Sequence, residues 1–206
     1  MLKPALVILA AGASRRLGRC KALVDLGGRT ALERLLAAGA VLDSTPPLVV
    51  TGADDAPIAA ALPPGVERVF SPDWARGRNA GLALACERRP GRDLALAPID
   101  CPLVPRAVFE ALAERWVRAG APPRGWLAPR ARGAYGRARH GHPLVLGRDL
   151  ARAVAFLEPD APLRALRERA SPLLSLDVPG LEVLDDLDLP ADLERLRARL
   201  EGAGGA

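Results

Sequence analysis

With 206 residues, half of them hydrophobic, the chain is long enough to bury the core of one α/β domain, and no stretch approaches the ~20 apolar residues of a membrane-spanning helix. Aromatic residues make up only 3%, so leucine, valine and alanine must build that core. The formal charge of +5 does not mark a nucleic-acid binder, because arginine supplies all but two of the 29 basic residues along the whole chain, no basic run exceeds three residues, and aromatic stacking platforms are lacking.

Ala5 to Ala10 is an unbroken run of small and branched aliphatic residues and reads as a buried strand. It leads into Leu9-Ala10-Ala11-Gly12-Ala13-Ser14-Arg15-Arg16-Leu17-Gly18-Arg19-Cys20-Lys21. Two glycines bracket a hydroxyl and two arginines, and a lysine closes the segment. Glycines let backbone N–H groups approach an anion, Ser14 can donate, and Arg16 and Lys21 bring positive charge, so the stretch reads as a phosphate cradle. It is not a P-loop, which requires G-x-x-x-x-G-K-S/T, nor the dinucleotide fingerprint G-x-G-x-x-G. Only Lys3 and Lys21 are lysines, so a lysine kept inside this loop points to a need for a compact ammonium there. An export leader is an alternative reading of the N-terminus, but cleavage after Ala11-Gly12-Ala13 would cut the cradle in half. Cys20, Cys86 and Cys101 lack metal-ligand spacing and fit small fillers in a reducing cytoplasm.

Thr30-Ala31-Leu32-Glu33 is a capping box that opens a helix through about Ala40. Leu48-Val49-Val50 reads as a second strand, Ala56 to Leu62 as a short helix and Val66 to Phe70 as a third strand. Ser71 to Asn79 then leads into a helix from about Ala80 to Arg88. Trp74, Arg78 and Asn79 are candidate pocket residues, with Trp74 read equally as a hydrophobic plug. Leu94 to Ala97 is the next strand and runs into Pro98-Ile99-Asp100-Cys101-Pro102. A carboxylate at a strand end suits Mg²⁺, although such an aspartate is also an ordinary turn or cap residue. Pro105 to Ala119 is a helix with Val108, Leu112 and Trp116 on its core stripe. Pro122 to Gly141, rich in glycine, proline and arginine, is expected to be a surface excursion. Arg139 and His142 flank its end, and His142 reads either as an acceptor contact or as a structural histidine. A strand at Leu144 to Leu146 follows, then helices at Arg148 to Phe156 and Pro162 to Ala170, a strand at Leu173 to Leu176, and a last helix from Pro190 to about Leu200. Asp186, Asp188 and Asp192 precede or open that helix, where they suit its dipole. Alternating strands and helices predict a mostly parallel sheet with helices on both faces, and ligands at the carboxyl ends of its strands. The expected domain is 1–201, with 202–206 as a disordered tail.

From Leu9 to Lys21 the sequence matches G-x-S-x-R-M/L-G-x-x-K, and it resembles the opening signature of MobA-like nucleotidyltransferases, among them the molybdenum-cofactor cytidylyl- and guanylyltransferases. Pro98 to Val104 resembles the family's D-x-P metal motif, and Asp186 to Asp192 its D-I/V-D/N-T-P-E-D motif, with Leu189 in place of threonine. Gly81 stands where the family has a serine near the nucleobase, and Glu158 to Arg164 replaces a G-D-x-G-A-R-like stretch. The resemblance implies a three-layer, Rossmann-like fold of the nucleotide-diphospho-sugar transferase type. It implies an NTP, CTP or GTP, held by Leu9, Ala10, Ala11, Gly12, Ser14, Arg16, Lys21, Arg78, Asn79 and Asp100. Mg²⁺ would sit on Asp100 with Asp186 or Asp188, and a phosphorylated acceptor such as molybdopterin near Arg139 and His142. Lys21, Arg16 and Asp100 would be catalytic, pyrophosphate would leave, and the product would pass to a molybdoenzyme in the cytoplasm. A sugar phosphate is the alternative acceptor. A non-catalytic nucleotide- or cofactor-binding accessory protein is the alternative of another class.

Overall fold

The computed structural model describes residues 3–132 and 136–203. In chain order these form β1 (Ala5–Ala10), α1 (Ala31–Gly39), β2 (Leu48–Thr51), α2 (Asp55–Ala61), β3 (Glu67–Phe70), α3 (Arg78–Arg88), β4 (Leu94–Pro98), α4 (Arg106–Arg118), β5 (Trp126–Arg132), β6 (Ala138–His140), β7 (Leu144–Leu146), α5 (Arg148–Arg152), β8 (Leu173–Asp177) and α6 (Pro190–Ala203), joined by loops and short 3-10 turns. α6 runs past Leu200, and the rest of the expected tail, 204–206, lies outside the described residues.

One mixed sheet carries the fold, in the order β3-β2-β1-β4-β7-β5-β6, with β8 also paired to β5. β1, β2, β3 and β4 run parallel; β7 is antiparallel to β4 and β5, and β8 is parallel to β5. Side chains alternate across β1: Leu6, Ile8 and Ala10 face the core under α1, α4 and α6, and Ala5 and Val7 face the one under α3 and α5. A strand buried on both faces reads as a continuous aliphatic run, which is why β1 is legible.

Helix starts follow local chemistry. Thr30 caps α1 by accepting from the Glu33 amide at 3.1 Å, while Glu33 accepts from the Thr30 amide at 2.7 Å. In α4 the buried stripe is Phe109, Leu112, Ala113 and Trp116; Val108 is only half-buried, one step off the expected face. The Trp116 indole donates to Asp93 at 2.9 Å, and the Arg148 amide donates to the same carboxylate at 2.9 Å, so this buried acid is satisfied.

The segment from Pro122 to Gly141 is not the expected surface excursion. Trp126, Leu127 and Ala128 are buried, and β5 is an interior strand. β6 and β7 act as one interrupted strand against it. Between the pairs Leu127↔Val145 and Arg130↔His140, β5 has two residues and the facing strand has four, 141 to 144. The two extra residues form a bulge. Gly141 still donates to the Pro129 carbonyl at 2.9 Å, while the His142 amide turns away to Val183 at 2.9 Å.

Truncating Phe109 to alanine is expected to destabilise the protein by about 3–5 kcal/mol, against about 1 kcal/mol for Thr30→Ala. Denaturant titrations of the two variants check the order.

Candidate active site

A cleft of about 250 Å³ opens at the carboxyl ends of β1, β2 and β4. Leu9 lines it from the end of β1, Ala11, Gly12, Ser14 and Lys21 from the loop that follows, and Asp100 from the turn after β4. Val50, Trp74, Gly77, Arg78 and Gly81 close the far side. Ser14 adopts φ +50°, and its hydroxyl accepts from the Lys21 amide at 3.2 Å, which folds the loop back so that its lysine faces its glycine. A Cβ at Gly12 would meet nothing within 4 Å, so that position opens onto the cleft. A Cβ at Gly52, by contrast, would sit 2.4 Å from the Ala11 carbonyl and 2.6 Å from Trp74 Cβ. Only glycine lets the loops after β1 and β2 close around the tryptophan.

The acidic segment before α6 divides its carboxylates between two tasks. Leu187 is fully buried and donates its amide to the Asp100 carbonyl at 2.7 Å, so its neighbours point to either side. Asp186 joins Asp100 and Cys101, with donor atoms within 4.8 Å of one another. Asp188 turns the other way and pairs with Lys21 Nζ at 2.5 Å and Arg16 at 2.8 Å. Asp188 therefore stands as the counter-ion of the loop cations, and Asp186 is the carboxylate beside Asp100. Asp192 accepts from the amides of Asp188 and Leu189 at 3.0 and 2.8 Å, which caps α6 and fixes this geometry.

The Asp100–Asp186 pair suits a divalent cation. Asp100 Oδ1 is buried without a hydrogen-bond partner, a cost that a bound cation would relieve. His142 faces the same carboxylates. Burial holds its proton affinity below the ordinary value, against the pull of Asp100 and Asp186. Its Nδ1 is likewise buried and unpartnered. Burial pushes the Cys86 thiol up to about 12, and burial with the charges of Asp100 and Asp186 also raises that of Cys101.

Three sequence expectations change, those for Ala10, Asn79 and Arg139. Ala10 turns into the core beneath the sheet and does not line the cleft. Arg16 is exposed and pairs with Asp188 beside Lys21. Asn79 is buried and braces structure: its amide donates to the Glu158 and Ala161 carbonyls at 2.8 and 3.0 Å, and it meets no cleft. Arg139 is exposed and lines neither the cleft nor the pocket beside it, since alternation along β6 presents His140 there instead. Val50 and Arg167 were not singled out from the sequence, because aliphatic and arginine residues are too common here to stand out, and Trp126 and His140 fell within the stretch read as a surface excursion.

A Rossmann-like sheet with a glycine loop after its first strand, and Asp100 lining the same cleft from the end of the fourth, is a nucleotide-binding type of α/β architecture. The chain matches the MobA-like NTP transferase domain over residues 6–173 and belongs to that family. Among solved structures it is similar to Rv0371c from Mycobacterium tuberculosis, with 28% identity, a TM-score of 0.78 and coverage of 96% of this chain and 98% of that one. A structure of Rv0371c in complex with manganese is 26% identical at a TM-score of 0.73, covering 95% and 98%. Molybdopterin-guanine dinucleotide biosynthesis protein A from Archaeoglobus fulgidus, 20% identical with a TM-score of 0.71 over 96% and 99%, shares the fold. No curated protein sequence matches the chain. Among the described residues no helix is long and apolar enough to cross a membrane.

Asn79→Ala is expected to cost about 1–3 kcal/mol of stability, because two carbonyls of the 158–161 turn lose their donor. Thermal or denaturant unfolding measures it. Arg139→Ala is expected to change stability by no more than a few tenths of a kcal/mol.

Proposed function

We infer that the protein transfers a nucleoside monophosphate from CTP or GTP to the phosphate of a small acceptor, molybdopterin by preference, and releases pyrophosphate. The observation that carries this reading is that Gly12, Ser14 and Lys21 of the glycine loop line the same cleft as Asp100. A mere nucleotide carrier has no need of a carboxylate pair opposite its phosphate loop. The similar Archaeoglobus fulgidus protein, named for molybdopterin-guanine dinucleotide biosynthesis, supports the choice of acceptor.

In this reading the triphosphate lies along the Gly12–Lys21 loop. Phosphate oxygens take the place of Asp188 on Lys21 and Arg16, and the exchanged charge holds the chain in register for in-line attack at the α-phosphorus. Asp100 and Asp186 would hold the divalent cation, Mg²⁺ or Mn²⁺. Bound there, the cation supplies charge neutralisation on the α-phosphate and the leaving group. Leu9, Val50, Trp74 and Gly81 offer the nucleobase a largely apolar slot. No covalent enzyme intermediate is required, in keeping with thiols held protonated.

Pyrophosphate release is measured with CTP and GTP, each against molybdopterin and Mg²⁺. Activity with one nucleotide is expected, lost with a chelator and reduced about 10²–10³-fold by Lys21→Ala. Asp100→Asn and Asp186→Asn are expected to weaken Mn²⁺ binding in a direct titration, and Asp188→Asn to leave it unchanged. Nucleotide binding without pyrophosphate release, across molybdopterin and sugar phosphates alike, would leave the accessory-protein reading in its place.

A further inference from the structure

Lys21 carries the charge of the glycine loop from a largely buried place. Its side chain is 13% exposed, and among the described residues its Nζ has one partner, Asp188 at 2.5 Å. An ammonium so far out of water is costly without a counter-ion. The other oxygen of the same carboxylate meets Arg16 at 2.8 Å. One acid thus spans both loop cations, Oδ1 on the lysine and Oδ2 on the arginine, as a phosphate group would.

The backbone that carries Asp188 is braced along its length. The buried Leu187 before it donates its amide to the Asp100 carbonyl at 2.7 Å, and the Asp188 amide donates to Asp192 at 3.0 Å. Arg195 ties the segment together, donating to the Asp185 carboxylate at 2.9 Å, the Asp186 carbonyl at 3.0 Å and Asp192 at 3.0 Å, and Arg199 also pairs with Asp185. The Asp188 side chain is what remains to turn. When an anion takes Lys21, the displaced carboxylate therefore stays within a side chain's reach of it, a competitor at high effective concentration.

Leu187 also keeps this competitor apart from the carboxylate pair. It sends Asp186 and Asp188 to opposite sides, so Asp188 is turned away from the place suited to a cation between Asp100 and Asp186. Around the cleft, Arg16, Lys21 and Arg78 are equalled in number by Asp100, Asp186 and Asp188, so these groups leave no surplus positive charge for a bare anion. An anion held as well through a divalent cation on Asp100 and Asp186 has two of those carboxylates offset and a second anchor.

We propose that Asp188 is a tethered counter-ion that inhibits its own cleft. It bars Lys21 and Arg16 to bare phosphate anions, yields to a polyphosphate that is also held through the cation on Asp100 and Asp186, and returns to Lys21 as pyrophosphate leaves. Each of these events exchanges ion pairs and makes or breaks no covalent bond. The return on product release rests on the transferase reading; the competition for the loop cations does not.

The test is isothermal titration of inorganic pyrophosphate, with a chelator present, into the wild type, Asp188→Asn, Lys21→Ala and the Lys21→Ala/Asp188→Asn double variant. Asp188→Asn keeps the side chain's shape and an oxygen for Lys21; Asp188→Ser takes its place if circular dichroism finds the first variant unfolded. Pyrophosphate is expected to bind Asp188→Asn about tenfold or more tightly than the wild type. In the Lys21→Ala background that gain is expected to shrink to about threefold or less, the remainder coming from exposed Arg16. Mn²⁺ titrated without pyrophosphate is expected to bind the wild type and Asp188→Asn equally. Pyrophosphate that binds neither protein or both alike, a gain undiminished without Lys21, or weakened Mn²⁺ binding in Asp188→Asn would overturn the proposal. Absence of pyrophosphate release from CTP and GTP with every acceptor would instead sink the transferase reading and leave these titrations to stand alone.

Discussion

The Leu187 amide donates to the Asp100 carbonyl at 2.7 Å, and the arrangement of the candidate site depends on that bond. Residues almost ninety positions apart are held in register by it, and the buried Leu187 side chain keeps it dry. With residue 187 pinned, its neighbours must project to opposite sides. Asp186 falls beside Asp100, and Asp188 falls beside Lys21. One backbone contact therefore separates a metal-suited carboxylate pair from a lysine counter-ion. The Asp192 cap at the start of α6 and the close approach of Gly141 to Val183 hold the same segment from its two ends.

Charge is distributed unevenly around this anchor. Away from the cleft some arginines are matched to carboxylates, as in Arg92 with Asp43 and Arg106 with Glu110. In the cleft the match is provisional, since Asp188 occupies the cations that a triphosphate would claim. In the adjoining pocket there is no match at all.

Much of the fold was legible because its strands are short aliphatic runs bounded by glycine, proline or polar residues. β1, β2, β4 and β7 announced themselves in this way, and the Thr30 capping box marked α1 to the residue. β5 did not. Pro129 lacks an N–H and, with Arg130 and Arg132, breaks the aliphatic pattern, so the segment read as loop. The bulge at 141–144 and the tie between Pro129 and Gly141 let the sheet accept that proline, and neither is visible locally. Asn79 misled for a related reason: its place next to Arg78 says nothing about which of the two turns inward to brace the 158–161 turn.

By itself the sequence determined the glycine loop with its lysine, the strand-end aspartate and the family they belong to, since each is a contiguous motif whose chemistry depends on neighbours along the chain. Only the tertiary structure decided which of Asp186 and Asp188 stands beside Asp100, that Asn79 is a brace, and that Arg78, Arg164 and Arg167 surround one pocket. Those outcomes depend on contacts between residues tens to more than a hundred positions apart. Distances of that kind are set by how the sheet and its covering helices pack, which no local pattern records.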